Sequence, residues 1–269
     1  MNPITNIALS AARAAGKIIL QYSNRVDTLT VHAKQRNDYV SEVDQMAEAE
    51  IIGIIRRAHP DHAILAEESG GSGESEYEWI IDPLDGTTNY LHGIPHYAVS
   101  IAFHHNGAYQ TGVIYDPFKE ELFCAERGRG ATLNNRRIRV TQISGLSGAL
   151  LGTGIPFRGN QSLDNYLISL RALSRDTAGI RRAGAAALDL AYIAAGRLDA
   201  FWEFGLKPWD MAAGVALIRE AGGLVGDLAG GSDYMRTGNI MTANRHVFVE
   251  MVKRLHPHLS EIMGASAKV

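Results

Sequence analysis

The chain predicts a mixed α/β fold in layers: an N-terminal α+β half, residues 1–145, carrying an antiparallel sheet, and a C-terminal α/β half, residues 146–269, together one compact unit. Three observations predict it. Two stretches near the start carry apolar residues at helical spacing. Strand-like runs separated by turn residues fill the segment from Tyr97 to Val140. Beyond Leu150, strand and helix patterns alternate. At 269 residues the chain exceeds the usual single-domain size, yet two halves sharing a continuous core fit that length as well as two separate domains do.

From Ile4 to Tyr22, Ile7, Ala11, Ala14, Ala15, Ile18, Ile19 and Tyr22 recur at three and four, which predicts a helix with one buried face. Lys34-Gln35-Arg36-Asn37-Asp38 is polar and aperiodic, a loop or hairpin. A second helix starts at Ser41, whose hydroxyl can cap it while Asp44, three residues on, forms an acidic capping box; His59-Pro60 stops it. Short strands are expected at Ala63–Ala66 and Trp79–Ile81, joined by the glycine-rich turn Ser69–Glu74. That turn lacks the Lys-Ser or Lys-Thr and the following helix of a phosphate loop. Runs at Val99–Phe103, Tyr109–Tyr115 and Glu121–Ala125 form an antiparallel meander. The second half gives strands at Leu150-Leu151, Leu198–Trp202, Leu224-Val225 and Ile240-Met241. Its helices run over about 162–173, 185–194, 208–221 and 245–255.

Composition excludes several classes. A hydrophobic fraction of 46% with 20% charged residues is ordinary for a globular chain, and no stretch approaches the roughly 20 apolar residues that cross a bilayer. A net charge of -3 and the absence of a basic stripe argue against general or sequence-specific DNA binding. The single Cys124 excludes an internal disulfide and a thiolate zinc site. With no leader pattern after Met1, a cytoplasmic location is expected.

The chemistry is concentrated in Asp82-Pro83-Leu84-Asp85-Gly86-Thr87-Thr88. Pro83 forces a turn after the strand, which can set Asp82, the Leu84 carbonyl and Asp85 together as hard oxygen ligands suited to Mg²⁺. Gly86 allows close backbone approach, and the helix-start residues Thr87, Thr88 and Asn89 aim the Gly86 and Thr87 amides outward as an anion site. Asp-Pro and Asp-Gly alone are common turn dipeptides. The whole heptad beside Glu67-Glu68 at the preceding strand end is harder to read as solvated turn. Glu67, Asp82, Asp85 and Asp210 gathered in one cleft would repel unless protonated or bound to cations. No Gly-x-Ser-x-Gly elbow occurs, and His92-Gly93-Ile94-Pro95-His96 reads as loop histidines, not a zinc pair.

These motifs resemble the inositol monophosphatase family over nearly the whole chain. The likeness rests on Glu67-Glu68-Ser69, Asp82 to Thr88, and a second signature, Trp209-Asp210-Met211-Ala212-Ala213-Gly214 followed by Glu220-Ala221-Gly222-Gly223. Arg181 to Tyr192 and Gly205 to Asp210 look most like its bacterial SuhB-type branch. The resemblance implies a layered α-β-α-β-α sandwich, a homodimer, and two or three Mg²⁺ ions. Glu67, Asp82 and the Leu84 carbonyl would hold one ion, Asp82, Asp85 and Asp210 a second, with Glu67 serving a weaker third.

It further implies that Glu67 and Thr87 orient the attacking water, Asp44 hydrogen-bonds Thr87, and the amides of Gly86 and Thr87 take the phosphate. Glu203 and Asp210 match positions that contact inositol hydroxyls. Gly184, Ala185, Ala186 and Arg181 match the polyol side of the pocket, where Ala185 replaces a Ser or Thr of many relatives. Arg181 is equally readable as a surface or dimer-interface charge.

The expected reaction is in-line hydrolysis of myo-inositol 1-phosphate or a similar small polyol phosphate, without a phosphoenzyme; the resemblance also implies inhibition by Li⁺. Fructose 1,6-bisphosphate, NADP and 3′-phosphoadenosine 5′-phosphate are alternatives, decided around Gly154, Arg181, Ala185 and Glu203. From another class, the resemblance carries an association with RNA polymerase and antitermination factors, which the residues neither require nor exclude.

Overall fold

A computed structural model describes residues 2–26, 31–35, 38–156 and 162–264. Helix α1 (Pro3–Tyr22) begins where the Asn2 side chain accepts the Ile4 amide at 2.7 Å. Strands β1 (Val31–Gln35) and β2 (Asp38–Ser41) pair antiparallel. The expected loop or hairpin at Lys34–Asp38 is thus a hairpin in its described part, while Arg36 and Asn37 lie outside the described residues. Helix α2 (Glu42–Ala58) carries the predicted capping box of Ser41 and Asp44.

Two expectations in the next stretch need correction. The turn after β3 (Ala63–Ala66) is not all loop: Gly70–Ser72 forms a short edge strand, β4, antiparallel to β3. Nor does Pro83 end its strand. β5 (Tyr77–Asp85) runs on through it, with a register shift against β6 (Ala98–His105) between Asp82 and Asp85. A bulge absorbs the missing proline donor, so the strand bends without stopping. Helix α3 (Thr87–Leu91) follows. The predicted meander is β6, β7 (Ala108–Asp116) and β8 (Glu121–Glu126), extended by β9 (Gly130–Leu133) and β10 (Arg136–Ile138).

The C-terminal half contains β11 (Leu150–Thr153), α4 (Leu163–Leu173), β12 (Gly179–Arg181), α5 (Ala186–Ala194), β13 (Ala200–Glu203) and α6 (Pro208–Glu220). After these come β14 (Leu224–Gly226), α7 (Tyr234–Thr237), β15 (Ile240–Ala243), α8 (Arg245–Leu255) and α9 (Leu259–Gly264). β12 and α7, three and four residues long, are too short to show a period in the sequence.

Alternation along the strands sorts the core into layers. Ala8, Ala12, Ile19, Ile51 and Ile55 of α1 and α2 bury Trp79, Ile81, Val99, Ile101 and Phe103 on one face of an eight-stranded sheet ordered β10-β9-β8-β7-β6-β5-β3-β4. Its other face turns Ile80, Ala98, Ala102, Ile114 and Phe123 to α5 and α6. Those helices also cover Phe201 and Ile240 of a five-stranded sheet, ordered β12-β11-β13-β15-β14. The far face of that second sheet packs Leu151, Trp202 and Met241 on α4 and α8. The result is α-β-α-β-α. Gly112 in β7 lets α6 lie close: a Cβ there would stand 2.6 Å from the Ala213 carbonyl oxygen and 2.8 Å from the Ala216 Cβ. No helix of the described residues is long and apolar enough to cross a membrane.

Candidate active site

The bulge of β5 builds the site from within. Asp82 is 1% exposed, and its Oδ1 accepts the Leu84 amide at 3.0 Å, so one carboxyl holds the bend that the strand needs to pass Pro83. Gly86 then adopts φ 91°, wedged where a Cβ would meet the His96 carbonyl oxygen at 2.9 Å and the Ala185 Cβ at 3.2 Å. This turn starts α3 and places the Thr87 hydroxyl 3.0 Å from both Asp44 Oδ1 and the Leu84 carbonyl oxygen. One proton can serve only one of those acceptors at a time. Asp44 Oδ2 is already occupied by the Ser41 amide at 2.9 Å and hydroxyl at 2.6 Å, so the carboxyl that caps α2 also positions Thr87.

Glu67 leaves the end of β3 with its amide on the Ile81 carbonyl at 3.1 Å, alongside Asp82. Glu48 holds the turn beyond it, accepting the amides of Glu68 and Ser69 at 2.8 Å each. Sequence reasoning passed over Glu48. The available signal was an acid one turn beyond Asp44 on the buried face of α2, where it is 3% exposed.

The C-terminal half closes the cleft from the other side. The Ala187 amide, in the first turn of α5, donates to Asp85 Oδ2 at 2.7 Å. Asp210, in the first turn of α6, accepts the Lys207 amide at 2.7 Å. The Asn89 side chain bridges the carbonyls of His96 and Ala183 at 2.8 and 2.9 Å, tying α3 to the loop before α5. The cavity, of about 440 Å³, is lined by Glu67, Asp82, Leu84, Asp85, Gly86, Thr87, Gly154, Gly184, Ala185, Ala186, Glu203 and Asp210. Asp44 stands behind Thr87. Arg181 is not in the lining: it sits exposed at the end of β12 with its guanidinium on the Ile180 carbonyl, and its neighbour Arg182 lines the cleft instead. β12 ends at Arg181 and Arg182 already belongs to the loop before α5, so a one-residue offset decides which of two adjacent arginines faces the cavity. Asp189, also unforeseen, joins the lining from α5. His92 rests on the Thr88 carbonyl and His96 packs on the Tyr192 ring.

Charge in this cleft is frustrated. Burial first, then the charges of Glu67, Asp85 and Asp210, hold the Asp82 carboxyl well above the ordinary carboxylate range. Asp85 is raised by burial and then by Asp210, against the Ala187 amide. Burial lifts Asp44 to about 6 in spite of its bonds to Ser41 and Thr87. Hard oxygens that repel one another when ionised are the donor set of a Mg²⁺-type site, and the buried acids fit such an ion. Among the described residues no three of these side chains already stand as a closed coordination set.

The model of the inositol monophosphatase family matches residues 1–262. The chain is 55% identical over 265 residues to a Pseudomonas aeruginosa protein named Nus factor SuhB, covering 96% of this chain and 98% of that protein. The crystal structure of the extragenic suppressor protein suhB from Bartonella henselae superposes with a TM-score of 0.91 at 45% identity, covering 94% of this chain and 98% of that one. The inositol monophosphatase from Anabaena gives 0.85 at 42%, covering 94% and 95%. With the layered fold, the motifs in order and a family match over nearly its whole length, the chain belongs to the inositol monophosphatase family.

Proposed function

We propose that the chain hydrolyses the phosphate monoester of a small polyol, with myo-inositol 1-phosphate the leading substrate, in a Mg²⁺-dependent reaction. The observation that carries this reading is Thr87 held between Asp44 and the Leu84 carbonyl at the edge of the buried acid cluster. Glu67, Asp82 and the Leu84 carbonyl would hold one ion, and Asp82, Asp85 and Asp210 another, with Glu67 available to a third. Bound Mg²⁺ supplies Lewis-acid polarisation of phosphate oxygens and acidification of water. With its O–H donated to Asp44, Thr87 Oγ1 accepts a hydrogen bond from a water that it and Glu67 hold in line with phosphorus. As the water oxygen bonds to phosphorus its proton passes to Glu67, and the ester P–O bond breaks with the leaving alkoxide taking a proton from solvent water. The Gly86 and Thr87 amides take the phosphate, and Glu203 and Asp210 take polyol hydroxyls beside Gly184, Ala185 and Ala186. Phosphate release with and without Mg²⁺ tests the reading. No activity in the wild type, or full activity after Asp82→Asn, overturns it.

A second reading rests on a relative's name. A Nus factor SuhB that is 55% identical to this chain supports a role with RNA polymerase or antitermination factors. Pull-down of the transcription apparatus by wild type and by Asp82→Asn separates the readings: retention by both makes binding independent of catalysis, and retention by neither leaves the enzyme alone. The family resemblance also supports a homodimer, which light scattering checks.

A further inference from the structure

Asp189 lines the cleft but has no part in the chemistry above. It is 2% exposed, and its Oδ1 has no hydrogen-bond partner in the folded chain. A buried carboxyl oxygen without a partner destabilises the fold, and such groups persist where function requires them. The geometry directs this one. α5 starts at Ala186, so Asp189 shares a helix face with the cleft-lining Ala185, and helical side chains lean back toward the N-terminus. The backbone of β11 covers one side: a Cβ built on Gly152 would stand 3.4 Å from Asp189 Oδ1. Glu203 and Asp85 act on the carboxyl with like charge and Arg182 with opposite charge. Of these, Glu203 stands on the polyol side of the cleft at the end of β13, and Arg182 and Asp189 line the same cavity. A hydroxyl both donates and accepts, so it complements the carboxyl in either protonation state.

We propose that Asp189 is a specificity residue: it takes a hydroxyl of the substrate's polyol, beside the one taken by Glu203, and so favours phosphate esters of ring polyols over esters of simple alcohols. This rests on the hydrolase reading above. The test compares myo-inositol 1-phosphate with 4-nitrophenyl phosphate as substrates for wild type, Asp189→Leu and Asp189→Asn, with thermal melting of each. For Asp189→Leu the expected kcat/KM on the inositol ester falls about tenfold or more, while that on the nitrophenyl ester stays within about twofold. Its Tm holds or rises, because a buried oxygen without a partner has been removed, and Asp189→Asn recovers part of the selectivity. Equal losses on both esters, or no loss on either, overturns the proposal, as does a fall in Tm that accompanies equal losses. Wild type that hydrolyses neither ester overturns the hydrolase reading and this inference with it; wild type active on both, with selectivity unmoved by Asp189→Leu, overturns this inference alone.

Discussion

Glu203 lies over Gly154: a Cβ built on that glycine would stand 1.9 Å from Glu203 Oε1 and 2.0 Å from its Cδ. Glu203 ends β13 and Gly154 directly follows the last residue of the neighbouring parallel strand β11, where Thr153 pairs with Trp202, so the glycine makes the room in which the carboxyl faces the cleft. Gly154→Ala displaces the flexible end of a side chain, which leaves the sheet intact. The expected outcome is a KM for the polyol phosphate raised about tenfold, with kcat and Tm little changed. Steady-state kinetics and melting check it; an unchanged KM would remove Glu203 from substrate recognition.

Thr87 and Asp44 form the second testable pair, joined at 3.0 Å. Removing the hydroxyl in Thr87→Val should lower kcat by about a hundredfold or more, while Thr87→Ser keeps most of it. Because the two groups act in series, Asp44→Asn combined with Thr87→Val should be little worse than the worse single variant. Asp44→Asn also weakens the cap of α2, at about 1 kcal/mol, so its melting temperature must be measured beside its kinetics.

Asp82→Asn should inactivate the enzyme and stabilise the metal-free protein. Burial and neighbouring charges raise the Asp82 pKa above the unfolded value near 3.8. The folded state therefore keeps its proton longer than the unfolded chain does, and stability from this group is present at acid pH and lost as pH rises through the folded value. In EDTA, the excess in Tm of the variant over wild type should grow with pH. Added Mg²⁺ should raise the Tm of wild type and not of the variant. A variant whose Tm still responds to Mg²⁺ would place the ion elsewhere.

His62 offers a pH effect remote from the cleft. Its Nδ1 accepts the buried Trp79 indole at 3.1 Å, and its ring stacks between those of His59 and Tyr77 at 4.2 and 5.0 Å. Burial, then His59, lowers its pKa below 6.5. The unfolded chain then binds the extra proton first, so this contribution is complete above pH 6.5 and fades as pH falls toward the folded value. Tryptophan fluorescence should shift over that interval, and His62→Gln should flatten the loss of stability. An identical pH profile in the variant would assign the loss to other groups.

Much of the fold and the acid cluster was legible because both rest on local rules. The apolar stripes of α1 and α2 set their faces, and the Ser41–Asp44 box marked a helix start. The carboxylates of β5 lie within one short stretch whose turn chemistry is written in Pro83 and Gly86. Features set by distant contacts were not. Only the bulged pairing with β6 shows that β5 continues past Pro83. The exchange of Arg181 for Arg182 depends on where β12 ends, and Glu48 acquires its role from amides twenty and twenty-one residues away. Asp189 reads in sequence as one more helical acid until the strand crossing over it is in place.

Gly112 has a bearing on the cleft that its address in β7 conceals. It meets α6 at Ala213, one helical turn from Asp210, on the sheet side of the helix. A side chain there would act as a shim, tilting or lifting the helix and moving Asp210 from Asp82 and Asp85 with no acid altered. The aperture of the acidic cleft is thus calibrated from inside the layered core, where the absence of one methyl group lets its two jaws close to their present gap.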